Sequence, residues 1–322
     1  MAVYTDISDA ELEAFLAGYD LGAARSFKGI AEGVENSNFL LETDAGRFIL
    51  TVYERRVSAD DLPFFLGLMQ HLTARGFPAP SPIADRDGAS LRSIRGKPAA
   101  LVSFLTGVSV KSPTVAHCRE AGAGLAALHR TAEGFAGRRP NALGQPSWAG
   151  LFAPVRAAAD ALRPGLAAEI EGDLASLALT WPRNLPRGVI HADLFPDNVF
   201  FSGGKFAAAI DFYFACEDQI AYDLGVCLNS WCFEPDGAFN LTKGRALVAG
   251  YESLRPLTPA ERTAFPILAH GSAMRFFLTR LVDWQRGADG ALVRPKDPME
   301  YEKKLAFHRQ AEGRLGLFED DA

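Results

Sequence analysis

One change of rhythm divides this chain. Up to about Leu105 the apolar residues fall in short runs, Ser26–Ile30, Asn38–Glu42, Arg47–Tyr53, Ser90–Ile94 and Ala99–Phe104, separated by turn-forming residues such as Asp44-Ala-Gly46. Runs of that length bounded by Gly and Asp predict an antiparallel sheet. Two helices accompany it. Ser8 heads one over 8–18, with Leu12, Phe15 and Leu16 on one face, and Ser58-Ala-Asp-Asp61 has the form of a capping box for another that runs through Leu66, Met69 and Leu72 and stops at Gly76 and Pro78. Beyond Thr106-Gly107 the apolar spacing becomes helical, predicting helices over 115–130, 149–162, 165–180, 220–232, 240–254, 259–286 and 297–314. The expected fold is therefore α+β and two-lobed: a small antiparallel sheet lobe over residues 1–105 and a mainly α-helical lobe over residues 106–322.

The exception inside the helical half is Gly188-Val-Ile-His191-Ala-Asp193-Leu-Phe-Pro-Asp-Asn198-Val-Phe-Phe201, followed after a hairpin signal by Ala207-Ala-Ala-Ile-Asp211. The pattern is strand, loop, strand, with an Asp in the loop, an Asn five residues later and a second Asp at the end of a buried strand. That set suits metal-assisted phosphoryl transfer. Asp193 is the expected general base or hydroxyl-orienting residue, and Asn198 and Asp211 the expected ligands of Mg²⁺, which takes few protein carboxylates and completes its shell with phosphate oxygens and water. His191, at the head of the loop, is expected to fix the loop through hydrogen bonds, a structural role. Asp197, after Pro196, reads as a turn former.

Composition narrows the partners. With 33 Lys and Arg against 39 Asp and Glu, the formal charge is −6, which disfavours nucleic acid and anionic membrane surfaces as partners. The start is polar and acidic, and no apolar run is long enough to span a bilayer. The four cysteines, Cys118, Cys216, Cys227 and Cys232, form no CxxC pair and sit in apolar stretches, as buried free thiols do, so a cytoplasmic setting is expected. There is no internal repeat or heptad run, and nothing in the sequence specifies an oligomeric state.

His191-Ala-Asp193-Leu-Phe-Pro-Asp-Asn198 and Ile210-Asp211-Phe212 resemble the aminoglycoside phosphotransferase and choline kinase branch of the protein-kinase-like fold. The resemblance spans nearly the whole chain, including Pro78-Ala-Pro80 and Tyr222-Asp223-Leu224. Within that branch, Gly33–Phe39, Phe48–Glu54, Val189–Asn198 and Arg275–Asp283 are most similar to the bacterial homoserine kinases. The resemblance implies ATP with Mg²⁺, a small-molecule acceptor, L-homoserine, and a bracing role for Asp223 behind the loop. Other acceptors of the same fold (an aminoglycoside, choline, methylthioribose, hydroxylysine) are alternatives, as is a pseudokinase that binds nucleotide without transferring.

One departure stands out. Kinase-like folds place a Lys on the third strand and pair it with a helix Glu. Here the corresponding place is Thr51, and Pro63-Phe-Phe65 stands where the Glu belongs. Lys28, on the neighbouring strand, is the candidate substitute for charge on the phosphates. The loop from Gly29 through Gly33 to Asn36 can bring amides over them, and the segment around Ser103 and Leu105 can offer backbone groups to an adenine edge. For an amino-acid acceptor, Arg suits the carboxylate and Asp the ammonium. Arg275, Arg280 and Asp283 are the candidates, although the five-residue step between the two Arg turns them to different faces of a helix.

Overall fold

The computed structural model describes residues 5–30, 36–54, 58–287 and 295–318. The chain divides into two compact units. The first runs to Thr106 and includes Phe135–Gly137, and the second begins at Gly107.

In the first unit, α1 (Asp9–Leu16) is opened by Ser8, whose side chain and that of Glu11 cap each other's backbone amides in a reciprocal capping box. Five antiparallel strands follow in the order β1-β2-β3-β5-β4: β1 (Ala24–Gly29), β2 (Ser37–Thr43), β3 (Gly46–Val52), β4 (Arg92–Ile94) and β5 (Lys97–Ser103). Strand β2 alternates strictly, with Ser37, Phe39, Leu41 and Thr43 inward, the period-two signature of a sheet with one buried face. Phe39, Leu41, Leu50, Val52 and Leu101 meet Leu12, Phe15 and Leu16 of α1 in one core. The second helix, α2 (Leu62–Ala74), is preceded by a turn of 3₁₀ helix, and Ser58 makes no capping hydrogen bond there. A capping box needs Glu or Gln three residues on, and here that position is Asp61.

The second unit is helical around a short β insert. Its first helices are α3 (Val115–Thr131), α4 (Trp148–Phe152), α5 (Arg156–Leu162) and α6 (Leu166–Thr180). The single helix expected over 149–162 is thus two helices joined by a 3₁₀ turn around Pro154, whose missing N–H interrupts the helical ladder. Strand β6 (Arg187–Ile190) leads into the His191 loop; β7 (Val199–Ser202) and β8 (Lys205–Ala209) form the hairpin after it; β9 (Cys216–Gln219) returns to pair with β6. Gly203 and Gly204 turn that hairpin with φ of 56° and 77°, the two left-handed positions of a tight two-residue loop.

Helices α7 (Ile220–Trp231), α8 (Leu241–Glu252), α9 (Pro259–Arg286) and α10 (Met299–Ala311) complete the unit. Helices α3 and α8 lie backbone against backbone. A Cβ on Gly122 would sit 2.0 Å from the Leu247 carbonyl oxygen, and one on Gly250 would sit 2.0 Å from that of Arg119. All four cysteines are free and buried. Among the described residues no helix is long and apolar enough to cross a membrane.

Candidate active site

The loop from His191 to Asn198 hangs between β6 and β7, and its backbone is pinned from two helices. Ala192 has φ of 62°, a left-handed conformation that costs a non-glycine residue about 1–3 kcal/mol and persists only where its surroundings enforce it. Here they do. Its amide donates to Asp223 Oδ1 at 2.8 Å, from α7, and its carbonyl accepts from Arg275 Nη1 at 2.7 Å, from α9.

Asp223 also accepts the His191 amide at 2.7 Å and His129 Nε2 at 3.0 Å through Oδ2. Burial alone would raise this carboxyl, but the His129 bond and the surrounding donors outweigh it and hold Asp223 below the usual carboxylate range. Behind it, the other ring nitrogen of His129 meets the Tyr251 hydroxyl at 2.8 Å. With Nε2 donating to Asp223, Nδ1 is the acceptor from Tyr251.

His191 is fully buried, and its burial pushes the imidazole toward the neutral form. Nε2 donates to the Ile210 carbonyl at 2.9 Å, while Nδ1 accepts the Asp193 amide at 3.3 Å. One ring thereby ties the loop to the residue just ahead of Asp211. Trp231 reinforces the same loop by donating Nε1 to the Leu194 carbonyl at 2.8 Å.

Asp193 is half-buried. Asn198 Nδ2 donates to its carbonyl at 2.8 Å and lies 3.3 Å from its carboxylate Oδ2. Burial pushes Asp193 up to about 8, with Arg275 opposing and Asp211 adding to the rise. Asp211 is exposed, with φ of 63°, immediately after Ile210, whose amide donates to the Asn198 carbonyl at 3.0 Å. Asp193, Asn198 and Asp211 are therefore gathered at one end of the β insert. Two carboxylates that repel one another beside an Asn form a donor set that a hard cation would relieve. Among the described residues no three His, Cys, Asp or Glu side chains converge on a single point, so a cation here needs phosphate oxygens or water as well.

On α9, Arg275 is 3% exposed, its guanidinium over the Phe276 ring at 4.0 Å and near Phe214 at 5.2 Å. Arg280 is turned elsewhere, toward Glu300 Oε2 at 2.6 Å and the Asp297 carbonyl at 3.1 Å. Asp283 is half-buried near the end of the same helix. Asn229 is a structural residue: it is fully buried, bonds Ala269 and Ser272 through Nδ2, and accepts from His308 Nε2.

In the first unit, Thr51 is buried and donates Oγ1 to Asn38 Oδ1 at 2.8 Å. Lys97, partly exposed, forms an ion pair with Glu54, which Thr5 and Ser37 also hydrogen-bond. Lys28 and Gly29 are exposed at the end of β1, and Asn36 is buried with Oδ1 accepting the Glu54 amide at 3.3 Å. Gly33 lies outside the described residues. At Ser103 the N–H donates to the Ser81 carbonyl at 2.9 Å and the hydroxyl accepts the Ser81 amide. Leu105 follows the strand and is half-buried.

A five-stranded antiparallel sheet unit, a helical unit and an Asp-loop-Asn-strand-Asp insert define a phosphotransferase of protein-kinase-like fold, and the chain belongs to the phosphotransferase enzyme family, whose model matches residues 26–257. Among its relatives, the homoserine kinase of Caulobacter sp. (strain K31) is 68% identical over 99% of both chains, and the homoserine kinase of Phenylobacterium zucineum (strain HLK1) is 66% identical over 96% of both. The fold is also that of the amicoumacin kinase hAmiN solved with AMP-PNP, Ca²⁺ and Ami: TM-score 0.70 at 15% identity, covering 96% of this chain and 93% of that one.

Proposed function

We propose that this chain is a homoserine kinase, transferring the γ-phosphoryl group of ATP to the hydroxyl of L-homoserine to give O-phospho-L-homoserine and ADP, a step of threonine biosynthesis. Identity of two thirds to relatives of that name over nearly the full length carries the reading, and the pinned loop around Asp193 supplies the chemistry it needs.

In the proposed mechanism Asp193 accepts the proton of the acceptor hydroxyl as its oxygen bonds to the γ-phosphorus and the bond to the ADP oxygen breaks. Phosphoryl transfer through a loose transition state gains most of its rate from positioning and fixed charge. The rigid hold on Ala192 therefore matters more than the intrinsic strength of the base. Asn198 and Asp211 would hold Mg²⁺, which supplies neutralisation of the triphosphate charge. Asn198 also fixes Asp193 through its backbone and carboxylate contacts, and His191 and Asp223 hold the loop.

In the first unit, Lys28, Gly29, Gly33 and Asn36 are proposed for the phosphate side and Leu105 for the adenine side. On the acceptor side, Arg275, Arg280 and Asp283 are proposed, Arg275 through its hold on Ala192 and Asp283 for the acceptor's ammonium. A panel of hydroxyl acceptors, followed by ADP release with and without Mg²⁺, tests the assignment. Turnover on homoserine alone is expected; turnover on kanamycin or choline but not homoserine would overturn it.

A further inference from the structure

Three aromatic rings run away from the catalytic loop in a row. Phe195 meets Phe276 at 4.8 Å between centroids, and Phe276 meets Tyr301 at 5.2 Å. Phe195 belongs to the same turn as Asp193, since its amide donates to the Asp193 carbonyl at 2.8 Å. Four cations sit on this row: Lys296 over Phe195 at 5.6 Å, Arg275 over Phe276 at 4.0 Å, and Arg280 and Lys304 over Tyr301 at 4.5 and 4.0 Å.

Three of the four are already employed. Arg275 holds the Ala192 carbonyl, while Arg280 and Lys304 share the two oxygens of Glu300 at 2.6 and 2.8 Å. Lys296 differs. It is exposed, and among the described residues its ammonium has no carboxylate and no hydrogen-bond acceptor, only the face of Phe195. It is also close enough for its charge to act on Asp193. Among the described residues Glu300 is the acid ion-paired with these four cations, so the row presents positive charge beside Asp193.

We propose that Lys296 binds the carboxylate of the amino-acid acceptor whose hydroxyl is presented to Asp193. The inference rests on the reading of the chain as a homoserine kinase and adds to it the group that selects an acid-bearing acceptor. A Lys ammonium on a flexible stem is a point charge able to follow a small ligand, and the ring of Phe195 offers an apolar wall to the acceptor's methylenes. The same positive charge disfavours a polycationic acceptor.

The test compares homoserine with 3-aminopropan-1-ol, the same molecule without its carboxylate, in the full-length wild-type chain, Lys296→Met and Lys296→Arg. A charge-assisted contact of this kind predicts that Lys296→Met raises KM for homoserine by about 10- to 100-fold. Its kcat should change far less, and its preference for homoserine over 3-aminopropan-1-ol should collapse. Lys296→Arg should restore much of the preference, and because the side chain is exposed, thermal unfolding should be unchanged in both variants. A Lys296→Met enzyme that keeps the wild-type preference would overturn the inference while leaving the proposed function standing. So would a loss of kcat equal for both acceptors, which would put Lys296 on the transferred phosphoryl group. A wild-type chain inactive on homoserine would overturn both.

Discussion

Ala192 donates its backbone amide to the Asp223 carboxylate at 2.8 Å, from a residue whose φ is 62°. The same carboxylate takes the neighbouring amide of His191 at 2.7 Å, so one buried side chain sets the direction in which the chain enters the loop. Asp223→Asn exchanges an acceptor for a donor facing two amides. Unfolding in urea should show a loss of about 1–3 kcal/mol. Turnover should fall by about 100-fold, the scale of a small misplacement of the reacting groups. Normal kcat in a folded Asp223→Asn protein would remove Asp223 from the proposed architecture.

Asp193 faces a different test. Asp193→Ala leaves the hydrogen bonds of its own backbone to Asn198 and Phe195 available, so the loop should keep its course. Turnover is expected to fall by about 10²- to 10⁴-fold, the usual range for a lost general base, with nucleotide affinity little changed. Isothermal titration with a nucleotide analogue and ADP-release assays separate the two quantities.

How far the sequence discloses this site depends on whether a role is local. The strand-loop-strand insert was legible because Asp193, Asn198 and Asp211 lie within one short stretch whose β pattern interrupts a helical half. The bracing by His129 and Tyr251 was not, because those residues sit on α3 and α8 at helical spacing and look like ordinary core positions. Arg275 shows the same difficulty. Its helix is easily predicted, but only the fold reveals that its guanidinium ends on Ala192. Lys296 lies in Pro295-Lys-Asp-Pro298, where an isolated Lys reads as solvated, and Ser103 gave no hint that Ser81 already claims its amide.

His308 makes stability depend on pH. It is buried, donates Nε2 to Asn229 at 2.8 Å, and is held well below its ordinary pKa by burial, with His270 and Lys304 adding to the effect. The unfolded chain binds a proton near pH 6.5 that the folded chain refuses. Stability from this group is therefore present above about 6.5 and is lost as pH falls below it, by up to about 1.4 kcal/mol per pH unit. Urea titrations between pH 7.5 and 5.5 should show a shallower decline for His308→Gln than for the wild type; equal slopes would exclude His308 as the source.

Gly250 should resist even the smallest enlargement. Within a helix, Gly→Ala ordinarily gains about 1 kcal/mol, but at this position the new Cβ would lie 2.0 Å from the Arg119 carbonyl oxygen. Helices α3 and α8 would have to separate, and a net loss of about 1–3 kcal/mol is expected from overpacking. A Tm equal to or above the wild type would contradict that close approach.

The row of rings that starts at Phe195 has a consequence for how such an enzyme could change its diet. The loop proposed to perform transfer is fixed by α7 and α9, through Asp223 and Arg275, whereas the cation proposed to choose the acceptor stands just ahead of α10. On this proposal the cation that chooses the acceptor stands on another stretch of chain than Asp193, although it rests on Phe195 of the same turn. A library confined to position 296 would search new acceptors while keeping Asp193, Asp223 and Arg275 in the sequence.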